Sequence, residues 1–289
     1  MEKIKNKTGV GIDKINSKFV YEFRSIIAPV LCSILNKSVL TGIFPEELKI
    51  AKTIPIPKTK TNLDLPSKFR PISLISIFSK IFEKLIVSRF TKYFTKFNIL
   101  YDFQFGFRSH HSTKLALINS IDDVRSQLGN DSLVVGIFLD LSKAFDALDH
   151  NILLSKLYNY GIRGFMFSWV KSYLSGRSQI TSINNCSSAS SPIRFGVPQG
   201  SVLGPLLFHI YINDIGNIPD MPCKPKLFAD DTNLFVSARN YPALQSKCQD
   251  TLNKVVEWIF LNRLTLNTKK PVIWFFPLNN RLIFHWDFN

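Results

Sequence analysis

Residues 226–238 read KLFADDTNLFVSA, two short runs of β-forming residues that meet at adjacent aspartates, Asp230 and Asp231. Such flanks around a short polar centre read as a hairpin. Two like charges side by side in a buried turn are costly unless a cation neutralises them. In a solvated turn, aspartate is simply a good turn former. Taken alone, the pair leaves both readings open.

A second stretch bears on that choice. LVVGIFLD (133–140) is a run of β-formers that reads as a buried strand ending at Asp140. It continues into the turn DLSKAFD (140–146). A strand ending in one carboxylate, beside a hairpin tip carrying two more, can set them around a pair of divalent cations. Two Mg²⁺ ions about 3.5–4 Å apart suit an attacking hydroxyl and a leaving phosphate oxygen. Mg²⁺ takes only one or two carboxylates, with substrate phosphates and water filling its other positions. Asp140, Asp230 and Asp231 thus point to phosphoryl or nucleotidyl transfer.

Outward from these strands, residues 17–40 carry apolar residues at helical spacing and end near Gly42 and Pro45. AKTIPIPKTK (51–60) reads as a short strand and a basic turn. A helix is expected from Ile72 to about Phe97, and another over 112–128. Residues 149–174 read as two helical pieces broken at Gly161 and Gly164. Segments 178–183 and 193–197 are expected to form a hairpin around NNCSSASS. SVLGPLLFHIYINDI (201–215) reads as a buried helix, and 242–262 as a final one. Strands and helices mix without strict βαβ alternation, which predicts an α+β architecture.

Composition narrows the function class. The 289 residues are 45% hydrophobic and 20% charged, which is globular rather than disordered. The formal net charge is +15, and residues 1–125 hold 21 Lys/Arg against 10 Asp/Glu. A basic surface of this kind attracts phosphate backbones. Cys32, Cys186, Cys223 and Cys248 lie far apart, without zinc-site spacing or a disulfide-scaffold density. MEKIKNKTGVG lacks the apolar stretch of a signal peptide, and no apolar run reaches the ~18 residues of a membrane helix. The expectation is a soluble intracellular protein with no membrane partner.

The motifs carry a resemblance. DLSKAFDALDH (140–150), GVPQGSVLGPLLFHIYINDI (196–215) and FADDT (228–232), in that order, resemble the reverse transcriptases of non-LTR retrotransposons of the LINE and jockey type. IPIPKTKTNLDLPSKFRPISL (54–74) and QFGFRSHHST (104–113) are similar to that family's finger segments, and KTGVGIDKIN (7–16) to its first motif. The resemblance implies a right-hand polymerase: an antiparallel palm sheet packed on helices, fingers over residues 1–130, palm over 131–270. Residues 150–200 would interleave finger-like contacts. Residues 271–289 look unlike the family, and the thumb is missing.

Residue by residue, the resemblance implies that Asp140 and Asp230 are the principal metal ligands, with Asp231 as partner. Asp146 and Asp149 precede a helix, where acidic residues suit the positive end of the helix dipole. Phe145 would pack beneath the incoming sugar, exclude a 2′-hydroxyl and select a DNA product. Gln199 and Gly200 would lie against the nascent base pair, and Lys58 and Arg70 would contact the triphosphate. Arg108 would lie near the template path, and Lys270 would face pyrophosphate. The implied cofactors are two Mg²⁺ ions, with Mn²⁺ as a substitute. The implied partners are an RNA template, a DNA primer and dNTPs, in the nucleus with a cytoplasmic ribonucleoprotein stage. Pro271 departs from the usual hydroxyl residue after Lys270, Val10 and Ile12 replace prolines, and Phe69 replaces tyrosine. The alternatives are a truncated relic that at most binds RNA, and an RNA-dependent RNA polymerase, which Phe145 disfavours.

Overall fold

A computed structural model describes residues 9–58, 65–130, 132–184, 186–267 and 272–276. In chain order, helices α1 (Ser17–Glu22) and α2 (Arg24–Thr41) precede strands β1 (Ile50–Pro57) and β2 (Phe69–Leu74). Helices α3 (Ile77–Lys96) and α4 (Thr113–Leu128) lead to β3 (Leu133–Asp140). The short α5 (Ala144–Ala147), then α6 (His150–Asn159) and α7 (Gly164–Leu174), follow. Next come β4 (Ser178–Ile183), the two-residue strands β5 (Cys186–Ser187) and β6 (Ser191–Pro192), and α8 (Gly204–Ile212). The hairpin β7 (Lys226–Phe228) and β8 (Asp231–Ala238), helix α9 (Tyr241–Leu261) and β9 (Val272–Phe276) complete the order.

The chain divides into two compact units. The first unit takes residues up to Ile99 together with Leu148–Phe208; the second takes Leu100–Ala147 and everything from His209. The cause lies in strand pairing: β4 runs parallel to β1, from Ile50↔Ser178 to Thr53↔Thr181, and so draws residues 148–208 to the first unit.

In the first unit, the sheet runs β2-β1-β4-β5, with β6 also pairing β4. The helix expected from Ile72 begins only at Ile77, because Phe69–Leu74 pairs with β1 along its whole length. Likewise β4 takes Ser191–Pro192 as its hairpin partner, rather than 193–197. The core is aromatic: Phe44 meets Trp169 and Tyr173 edge-on at centroid distances of 5.3 and 5.1 Å. Trp169 Nε1, fully buried, donates to Ser38 Oγ at 2.9 Å. Gly42 ends α2 in the left-handed conformation (φ 69°), the position where glycine carries no steric penalty.

In the second unit, the sheet order is β7-β8-β3-β9, all antiparallel. Strand β3 is central because both faces of LVVGIFLD are apolar; Val134, Ile137 and Leu139 are all buried. Within residues 271–289, which look unlike the family, Val272–Phe276 pairs with β3 from Val134↔Phe276 to Phe138↔Val272. VIWFF is a short run of β-forming residues of the kind an open strand edge accepts. Residues beyond Phe276 lie outside the described ones.

The sequence charge divides unequally between these units. The first holds 23 Lys/Arg against 8 Asp/Glu, and the second 13 against 13. The entire formal excess of +15 therefore belongs to the first unit.

Candidate active site

The register of β3 and β8 sets the centre of the site. The two strands pair from Leu133↔Ala238 to Asp140↔Asp231. Directly opposed residues of an antiparallel pair point to the same face. Asp140 and Asp231 therefore share a face, and Asp230 precedes them in the two-residue turn Ala229–Asp230 that joins β7 to β8. Asp140 and Asp230 are half-buried and Asp231 is exposed. Opposed carboxylates at a strand end repel each other, and a divalent cation relieves that repulsion. Among the described residues no group of three or more His, Cys, Asp or Glu side chains converges tightly enough to hold a metal ion. The arrangement suits a divalent cation: two carboxylate positions facing one side, with the remaining ligands left to phosphate oxygens and water.

Asp140 is held by a residue the sequence reading missed. Asn267 Nδ2 donates to Asp140 Oδ2 at 3.0 Å, and the Asn267 N–H donates to the Asp140 carbonyl at 2.8 Å. The Ser142 N–H donates to the Thr265 carbonyl at 2.8 Å, and Leu141 bridges to Leu266. The segment LTLN after α9 thus clips onto the chain leaving β3 and orients its carboxylate. Lys270, three residues on, lies outside the described residues.

A cleft of about 890 Å³ opens from the same face, between α4 and the sheet. Asp140 and Asp231 stand on its wall with Phe138, Asn233 and Phe235. Phe145, in α5, is half-buried with its ring edge-on to Phe107 at 6.4 Å. Asp149 takes the structural role expected of it: Oδ1 accepts from the Asn151 and Ile152 N–H groups at 2.8 and 3.1 Å and caps α6. Arg108, expected near the template path, braces its own loop. Its Nη1 donates to the Tyr101 carbonyl at 2.6 Å and to that of Gln104 at 3.5 Å, and burial lowers its pKa against the opposing pull of Asp102.

The first unit gathers the remaining expected residues along the β1–β2 hairpin. Arg70 opposes Ile56, so it shares a face with Ile56 and Lys58, and both cations are exposed. The Ser73 N–H donates to the Gln199 carbonyl at 2.6 Å. Gly200, at φ 113°, lies so close to the Ser73 carbonyl that a Cβ there would stand 2.7 Å from it. The other end of this loop is gripped by Glu83, a second residue without a sequence signal. Glu83 Oε2 accepts from the Val202 and Leu203 N–H groups at 2.5 and 3.2 Å; Oε1 accepts from Tyr173 Oη at 3.0 Å. Burial raises the Glu83 pKa, while the Arg177 guanidinium and these hydrogen bonds pull it down.

Comparison with known proteins adds to this geometry. The description "Reverse transcriptase (RNA-dependent DNA polymerase)" matches residues 56–279. The chain is 30% identical over 284 residues to the RNA-directed DNA polymerase from mobile element jockey of Drosophila melanogaster, covering 93% of this chain and 31% of the relative. It is 31% identical over 278 residues to the probable RNA-directed DNA polymerase from transposon BS of the same organism, covering 92% and 30%. The chain thus spans less than a third of the length of these relatives. Among solved structures, apo telomerase from Candida Tropicalis, truncated from its C-terminal domain, aligns with a TM-score of 0.54 at 16% identity, covering 83% of this chain and 52% of that one. At that identity the likeness speaks for the fold alone.

Proposed function

From the reverse transcriptase (RNA-dependent DNA polymerase) family, to which this chain belongs, we propose that it adds dNTPs to a primer 3′-hydroxyl on an RNA template. The observation that carries this is the opposition of Asp140 and Asp231 at the shared end of β3 and β8, with Asp230 next in the turn. Bound there, two Mg²⁺ ions would supply charge neutralisation for the attacking oxygen and the leaving pyrophosphate. The chain's own part is to hold acceptor oxygens in place. Asp231 is fixed by the strand register, and Asp140 by both that register and Asn267. Phe145 supplies bulk against a sugar 2′-hydroxyl, which favours dNTPs over rNTPs. Arg70 suits bidentate phosphate contact, Lys58 adds a second exposed cation, and Gln199–Gly200 offers close backbone approach to a base pair.

The test is primer extension on an RNA template with dNTPs and Mg²⁺. The Asp230→Asn, Asp231→Asn double variant is expected to lose at least about 1000-fold in rate, the scale of removing charge stabilisation from a transition state. Equal incorporation by the variant and the natural sequence would sink the assignment.

A further inference from the structure

The turn that presents Asp230 is not a comfortable one. Ala229 sits at φ 57°, a left-handed conformation that costs an L-residue free energy and normally belongs to glycine in a two-residue hairpin. What holds it there is the segment Phe103–Gly106. The Phe105 N–H donates to the Leu227 carbonyl and the Leu227 N–H to the Phe103 carbonyl, both at 2.8 Å, so this segment bridges in parallel to the outer edge of β7. From that bridge the buried Gln104 side chain reaches the turn. Its Oε1 accepts from the Ala229 N–H at 3.1 Å and the Gly106 N–H at 2.8 Å, and its Nε2 donates to the Ala229 carbonyl at 3.4 Å.

The side chain's amide orientation is fixed by its partners, two N–H donors on one side and a carbonyl on the other. Both backbone groups of Ala229 are thereby engaged. Peptide planarity carries the constraint one step further, because the Ala229 carbonyl lies in the same plane as the Asp230 nitrogen. Gly106 makes the approach possible: a Cβ there would run into the Ala229 backbone nitrogen.

We propose that Gln104 is a positioning residue for the catalytic turn, locking Ala229 so that Asp230 and Asp231 meet a divalent cation in one geometry, with Gly106 providing the necessary clearance. This rests on the polymerase reading above. Glutamine alone among the common residues has the reach, the acceptor and the donor. Glutamate keeps the acceptor but sets negative charge beside a carbonyl and two carboxylates. Methionine keeps the shape and leaves two buried N–H groups without a partner.

The experiment compares the natural sequence with Gln104→Met, Gln104→Glu and Gly106→Ala. In Gln104→Met, kcat for primer extension is expected to fall about 10- to 100-fold, as for other residues that orient metal ligands. KM for dNTP should stay within about twofold, the pattern of a lost transition-state interaction. Half-saturating Mn²⁺, read by electron paramagnetic resonance without substrate, should rise about 10-fold. Amide exchange at 228–231 should accelerate while α9 stays protected, with Gln104→Glu intermediate and Gly106→Ala resembling Gln104→Met. Should Gln104→Met not fold, Gln104→Glu carries the same ordering. If the natural sequence extends no primer, the polymerase reading fails; the clamp is then judged by exchange and Mn²⁺ binding alone. Unchanged exchange at 228–231 in a folded Gln104→Met protein overturns it.

Discussion

Phe145 sits in α5 with its ring edge-on to Phe107, the planes at 83°. The sugar gate proposed for Phe145 would work by bulk. Phe145→Val is expected to narrow the preference for dNTPs over rNTPs by about 10-fold or more, the size of a steric discrimination. Single-nucleotide incorporation with each nucleotide measures it, and an unchanged ratio would return Phe145 to the core. His209 offers a second test. It is buried, its Nε2 has no hydrogen-bond partner, and burial first and the Arg108 charge second push its pKa down to about 4. A depressed histidine pKa means that the folded state favours the neutral ring, so the stability it contributes is present above about pH 6.5. That contribution is lost as pH falls from there towards 4, by roughly 3 kcal/mol at the lower end. Urea midpoints at pH 7 and 4.5 should therefore converge in His209→Leu relative to the natural sequence. The carboxylates were legible in the sequence because chemistry demands an unusual residue, such as Asp-Asp amid apolar strands. Asn267, Gln104 and Glu83 were not, since each acts across 119 to 127 residues of chain, mostly on backbone atoms that any residue supplies.

At the scale of elements, legibility followed how far an element's own pattern decides its fate. LVVGIFLD is apolar on both faces and has only one way to be buried, so β3 ended at Asp140 as read. The break between α6 and α7 was equally plain, with Gly161 and Gly164 both at positive φ. Ile72–Leu74 was read as the start of a helix, whereas it pairs with β1, which lies across residues 59–64 in the chain. Strand β9 had no legible signal: five residues carry little pattern, and pairing with β3 decides. Caps are the local exception. Asp149→Ala should cost about 1–2 kcal/mol, since two N–H groups at the start of α6 lose their acceptor. Chemical denaturation should show that loss. If primer-extension rates fell as sharply as in the Asp230→Asn, Asp231→Asn variant, the structural assignment of Asp149 would be wrong.

The whole molecule separates two kinds of work by charge. The unit that carries the aspartate pair is formally neutral, and the other holds the full excess of +15. Carboxylates that must bind cations gain from a neutral surround, whereas a polyanionic template is attracted by net positive charge and releases counterions on binding. Helix α3 offers a clear row of cations for such contact, with Arg89, Lys92 and Lys96 exposed at spacings of three and four along one face. If that row meets phosphates, replacing all three with alanine should reduce the slope of log affinity against log salt for single-stranded RNA by about 2, at roughly 0.7 for each contact removed. Arg239, Lys247 and Arg263 are exposed cations of the neutral unit, and the same triple replacement there should leave the slope nearly unchanged. Filter binding at several salt concentrations separates the two. Equal losses from both triples would mean that only total charge matters and that the partition between units has no bearing on template attraction.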